Sequence, residues 1–226
     1  MTPKQMFFAF SLLLLVSCDV EDSGDVNQDK IYAHYELFYD ENNDKTVAVA
    51  RFRFGGATGT LLKLNENASV SFNGEELGYN EWYLGHTKEM AGWADSGTFV
   101  YHDLDHLIFT NTILSFDSIG FPDGFDTIVK TQANTMVWNG TALGVNDNVG
   151  LFVGSWTWGE DALYVQSTDN ATDIVMGTVQ LSNVPVGPST LFMDRWTQVP
   201  TTEGTSEGGV VIGKYRATNR VVQIVN

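Results

Sequence analysis

Apolar and polar positions alternate with a period of two along much of the chain. From Ile31 to Tyr39 the residues Ile31, Ala33, Tyr35, Leu37 and Tyr39 fall on one side, and Tyr32, His34 and Glu36 on the other. Successive side chains of an extended chain point to opposite faces, so this pattern predicts a half-buried strand. Thr46 to Phe54 repeats it, with Ala48, Ala50, Phe52 and Phe54 opposite Val47, Val49, Arg51 and Arg53. The polar stretch Asp40-Glu41-Asn42-Asn43-Asp44 between the two predicts an antiparallel hairpin. Shorter patterns predict strands at 60–64, 68–72, 98–101, 107–114, 127–138, 149–158, 162–167 and 174–181. The segment 87–94 reads as one short helix, capped by Thr87 and docking Met90 and Trp93. Segments 55–59, 185–188 and 201–209 read as loops, and 210–216 with 220–225 as a last hairpin that keeps the C-terminus in the core.

Two stretches resemble each other: Ser71-Phe72-Asn73-Gly74-Glu75-Glu76-Leu77-Gly78-Tyr79-Asn80 and Val137-Trp138-Asn139-Gly140-Thr141-Ala142-Leu143-Gly144-Val145-Asn146. Each reads aromatic, Asn-Gly, two variable residues, Leu-Gly, one variable residue, Asn. Asn and Gly tolerate positive φ, so each copy predicts a β corner and the pair an internal repeat. Turn formers also gather at 117–124. The expected fold is all-β: two tandem antiparallel β-sandwich (Ig-like) domains over 31–116 and 117–226. The copies do not divide the chain evenly, so one larger β-sandwich is the alternative.

Composition supports a packed core, with 43% hydrophobic and only 18% charged residues. The formal charge of −16 repels phosphate backbones and excludes nucleic acid as a partner. Solubility is the first consequence of so acidic a surface, and attraction of divalent cations such as Ca2+ the second. No cofactor is expected. The single cysteine, Cys18, rules out an intrachain disulfide.

The N-terminus carries a targeting signal over 1–17. Lys4 precedes the apolar run Met6 to Val16, which is too short to span a bilayer comfortably. It ends Leu15-Val16-Ser17-Cys18, which resembles the lipobox of bacterial lipoproteins. That resemblance covers about eighteen residues. It implies cleavage before Cys18, a diacylglyceryl group on its thiol, an acylated new amine, and attachment to a membrane of the cell envelope. Residues 18–30 then hold the lipidated Cys and an acidic stretch without apolar periodicity, expected to be a disordered tether. Asp19 after the Cys resembles the inner-membrane retention signal of enteric bacteria; the acidic cluster resembles the surface-export signal of Bacteroidota lipoproteins. The outer membrane or cell surface is the expected location.

Candidate chemistry is sparse. Gly204-Thr205-Ser206-Glu207-Gly208 matches the Gly-x-Ser-x-Gly elbow, yet His34, His86, His102 and His106 all precede it, so it reads as a loop. Asp40-x-Asn42-x-Asp44 copies the first positions of a calcium loop, but Lys45 and Arg51 stand where Gly and Glu belong, so it reads as a turn capped by carboxylates. His102, Asp103, Asp105 and His106 are weak metal candidates, since a turn at 103–105 would splay the histidines. Trp156 and Trp158, with Phe152 on the same strand face, read as core or as a stacking platform for sugar rings. No carboxylate pair has the spacing of a glycosidase, and no dinucleotide or phosphate-binding motif is present. The expectation is a non-enzymatic, lipid-anchored envelope protein with a binding or adhesion role toward a glycan or another envelope protein. A structural, fimbria-like subunit and a jelly-roll-like hydrolase are the alternatives.

Overall fold

The structure is a computed structural model that describes residues 20–64, 67–154, 157 and 159–226. In chain order the strands are β1 (Glu21–Asp22), β2 (Ile31–Asp40), β3 (Lys45–Phe54), β4 (Thr60–Lys63), β5 (Ser69–Phe72), β6 (Glu75–Glu76), β7 (Gly78–Asn80), β8 (Gly85–Ala91) and β9 (Gly97–His102). There follow β10 (Ile108–Ile113), β11 (Thr127–Val129), β12 (Asn134–Val137), β13 (Asp147–Gly154), β14 (Asp161–Gln166) and β15 (Asp173–Met176). A single turn of helix, α1 (Thr178–Leu181), precedes β16 (Gly187–Pro200), β17 (Gly209–Arg216) and β18 (Arg220–Val225). The chain is all-β, as its alternation predicts. No helix among the described residues is long and apolar enough to cross a membrane.

A twelve-stranded sheet forms the main layer: eight strands run in the order β1-β4-β3-β2-β17-β16-β13-β14, β8 joins β3 and carries β7, and β18 joins β16 and carries β11. The predicted hairpin is its backbone: β2 and β3 pair antiparallel from Ile31↔Phe54 to Asp40↔Lys45. Ile31, Ala33, Tyr35, Leu37 and Tyr39 all turn inward, as alternation requires. A four-stranded sheet, β10-β9-β5-β6, covers one part of this inner face. There Tyr35 stacks on Phe99 at 5.0 Å and Phe52 meets Tyr101 at 4.5 Å. A two-stranded sheet, β12-β15, adds Met136, Ile174 and Met176 to the same apolar cluster as Leu151, Leu191 and Met193. The main sheet crosses the expected boundary at 116/117, because β17 pairs in parallel with β2 from Gly209↔Ala33 to Arg216↔Asp40. One apolar cluster runs from Ile31 to Ile224.

Several expectations are corrected. Segment 87–94 is not a helix. Most of it lies in β8, which lines up on β3 from Ala50↔His86 to Lys45↔Ala91. On that edge β4 covers only Phe52 to Phe54, and the remaining ladder donors and acceptors of β3 recruit β8. Strands β17 and β18 do not form a hairpin; both lie antiparallel to β16, end to end along it.

The stretch from Val20 to Lys30 is not a disordered tether. β1 pairs with β4, and two 3-10 turns at 23–25 and 28–30 are capped by Asp22 and Asn27. Gln28, buried, donates to the carbonyls of Ser23 and Val26. Side-chain to backbone hydrogen bonds order this segment without apolar periodicity.

The two repeat copies also diverge. Asn73 (φ 50°) and Gly74 (φ 81°) form the two-residue corner between β5 and β6. Asn139 instead bridges to Gly120, and no hairpin forms there. The copies share their buried pair, Phe72 with Leu77 and Trp138 with Leu143.

Candidate functional site

On the outer face of the main sheet, β14, β13, β16 and β17 present a groove of about 550 Å³. Its floor follows from register. Leu163, Phe152 and Phe192 lie side by side across three strands, and Val165, Gly150, Asp194 and Arg216 form the next row. Trp196 and Lys214 lie opposite each other in the row after that. Phe152 and Phe192 meet edge to face at 5.9 Å. The Trp196 ring lies over Gly150, where a Cβ would come within 3.1 Å of the ring, so the glycine makes room for the indole. Leu163 and Val165 are 61% and 58% exposed, an apolar wall open to solvent.

A fixed set of charges borders this floor. Asp194 accepts from Nε and Nη2 of Arg216 at 2.7 and 2.8 Å, and its carboxylate lies 2.8 Å from Nζ of Lys214. Lys214 and Arg216 both lie over the Phe38 ring, at 5.2 and 5.3 Å. Burial pushes the Asp194 carboxyl up, but the hydrogen bond from Arg216 and the Lys214 ammonium outweigh it and hold the group below the usual carboxylate range. Asp161 also lines the groove. The arrangement offers aromatic faces for stacking and an oriented, charged rim for hydrogen bonds.

Of the residues singled out from sequence, Phe152 is in this groove. Cys18, Trp156 and Trp158 lie outside the described residues. His102 is the last residue of β9, and Asp103, Asp105 and His106 occupy the turn between β9 and β10. There buried Asp103 accepts from the Leu107 N–H at 2.8 Å and His106 takes φ 63°. Among the described residues no group of three or more His, Cys, Asp or Glu is arranged to hold a metal ion. The Gly204 to Gly208 match is a surface loop in which Ser206 bonds to Asp29 and Lys30. Asp40 caps the β2–β3 turn through the Asn42 N–H, and Asp44 accepts from the Tyr39 hydroxyl.

Sequence reasoning missed Phe192, Asp194, Trp196, Lys214 and Arg216. The signal was present: Phe192, Asp194 and Trp196 recur at a spacing of two, hence on one face of a strand. Arg195 hid it, because a charged residue between Met193 and Thr197 reads as a surface position, yet it turns inward and is 2% exposed.

No family model and no curated protein sequence matches the chain. Among solved structures it is similar to a tetra-tandem repeat in the extending region of a large adhesion protein. The identity is 11% and the TM-score 0.26, over 84% of this chain and 49% of that one. It is also similar to a structure described in connection with host cell surface retention of a 1.5-MDa bacterial ice-binding adhesin, at 10% identity and TM-score 0.24, over 88% of this chain and 67% of that one. The chain thus spans about half the length of the first.

Proposed function

We propose that this is a lipid-anchored envelope protein that binds a glycan in the outer groove and does not catalyse. The observation that carries the reading is an aromatic floor of Phe152, Phe192 and Trp196 on a solvent-facing sheet, bordered by the Asp194–Arg216–Lys214 set. Sugar rings carry apolar C–H faces that stack on aromatic rings, and hydroxyls that need oriented donors and acceptors. Trp156 and Trp158 follow the last residue of β13, Gly154, within four positions and extend the aromatic character of the chain at that point. Asp194, held by Arg216 and Lys214, is a fixed acceptor for a ligand hydroxyl at the edge of that floor. The Leu15 to Cys18 lipobox supplies the anchor and the envelope location.

A glycan array probed with the protein and with Trp196→Ala tests this. We expect a defined set of glycans to bind, and the variant, with an unchanged melting temperature, to lose at least about tenfold in affinity, about the 1.4 kcal/mol or more that one lost stacking contact is worth. The Trp156→Ala, Trp158→Ala double variant reports whether those rings share in binding. A silent array, or equal binding by wild type and Trp196→Ala, refutes the groove reading.

A further inference from the structure

We propose that the apex of the β7–β8 hairpin, Trp82 with Leu84, is a membrane-contact element that seats in the headgroup region of the bilayer holding the acyl chains of Cys18. The proposal rests on the lipid-anchor reading above. Trp82 is 95% exposed and buries almost nothing within the fold, the largest aromatic side chain so placed among the described residues. Leu84 and Val20, also exposed, line one cleft of about 490 Å³ with Glu21, Asp22, Tyr79 and Glu81. The apex is held rather than loose. The Trp82 N–H donates to Asn80 Oδ1 at 2.9 Å, Arg51 Nε donates to the Tyr83 carbonyl at 3.0 Å, and Leu84 takes φ 48°. A non-glycine residue in that region is kept there only where its surroundings fix it.

Chain length then places the bilayer. Cys18 is two residues before Val20, so their Cα atoms are at most about 7 Å apart. From Glu21 onward the chain is bonded to the body, Glu21 and Asp22 opposite Leu62 and Lys63 of β4. That reach ties the lipid to the side of the fold where Val20 shares a cleft with Glu81 and Leu84, the residues that flank Trp82 at the hairpin apex. Indole has an apolar ring and one N–H donor, which suits the boundary between headgroups and acyl chains. A lipid already bound at Cys18 makes even a weak second contact effective, because that contact becomes intramolecular. Glu21, Asp22 and Glu81 outnumber Lys63 around the cleft, so zwitterionic lipid is favoured over anionic lipid.

The test uses the full chain, made in a lipid-modifying bacterial host, extracted in detergent and reconstituted into phosphatidylethanolamine–phosphatidylcholine vesicles with bromine on the upper acyl carbons. Tryptophan quenching is compared between wild type and Trp82→Phe, and the N-terminal peptide is weighed. The proposal expects a lipid adduct on Cys18 and a quenched emission component that Trp82→Phe removes; Leu84→Asp, with Trp82 intact, weakens that quenching. An adduct with equal quenching in wild type and Trp82→Phe overturns the membrane contact and leaves the anchor standing. The same flat result with a doubled mass in detergent means a second copy covers Trp82, and overturns it too. An unmodified Cys18 thiol overturns the anchor reading and this proposal with it.

Discussion

Arg195 shows what one inward-facing charge does in a β core. From β16 it donates to the carbonyl and hydroxyl of Thr141, to the Ala142 carbonyl, and to the carboxylates of Asp117 and Asp147. It thereby fastens the second Asn-Gly stretch to the main sheet. Breaking a fully buried pair from one side typically costs about 3–5 kcal/mol; here Asp117 is half exposed and Asp147 keeps its bonds from the Gly144 N–H and the Thr197 hydroxyl, so the cost falls at the lower end of that range. Arg195→Ala is expected to lower stability to that extent in urea titrations, and Arg195→Lys to recover only part of it, because an ammonium cannot reproduce the planar fork. Glu36 makes a second prediction. Burial raises its carboxyl pKa, but His34 and Arg51 outweigh burial and bring it down to about 2 from the ordinary 4.5. A lowered folded value means that this stabilisation is complete above about 4.5 and is lost as pH falls toward about 2. Denaturation midpoints measured across that range should fall, and Glu36→Gln should flatten the fall while lowering stability near neutral pH. Tyr35 is the opposite case: its buried hydroxyl has no hydrogen-bond partner among the described residues. Tyr35→Phe is therefore expected to leave the melting temperature unchanged or to raise it.

At the scale of elements, the parallel join of β17 to β2 depends on close backbone approach. A Cβ at Gly209 would lie 2.3 Å from the Ala33 carbonyl oxygen, and that oxygen belongs to the ladder and cannot step aside. Gly209→Ala should cost about 1–3 kcal/mol and speed hydrogen exchange at the first residues of β17. Asn42 and Glu41, at the β2–β3 turn, clasp the β17–β18 link by accepting from the Asn219 and Thr218 N–H groups. The join is thus closed at both ends. Elements whose two faces differ in polarity were legible in sequence, β2 and β3 above all. β8 was not, because its conformation follows from the edge of β3 that it completes. β16 was not, because Arg195 interrupts its apolar alternation.

At the scale of the whole molecule, residues far apart in sequence complete each other. β17 is flanked by β2 and β16, and β18 by β16 and β11. Separate fragments 20–116 and 117–226 would each expose an unpaired edge and half of the apolar cluster. Neither is expected to show a cooperative melt or near-ultraviolet dichroism alone; two independent transitions in the separated fragments would contradict this. Such distant pairing also raises contact order, so refolding of the intact chain should be slow for its size.

The sequence by itself determined that the chain is built of strands, which residues of the first hairpin face inward, where the polar turns fall, and that the surface is strongly acidic. These are local consequences of side-chain alternation and charge. Only the tertiary structure decided which strands are neighbours, because backbone ladders bond alike whatever the side chains and carry no label for a distant partner. It therefore also decided the groove, whose Phe152, Phe192, Trp196 and Arg216 come from three strands and meet only through register. The ordering of residues 20–30 was likewise decided there, since β1 forms only against β4.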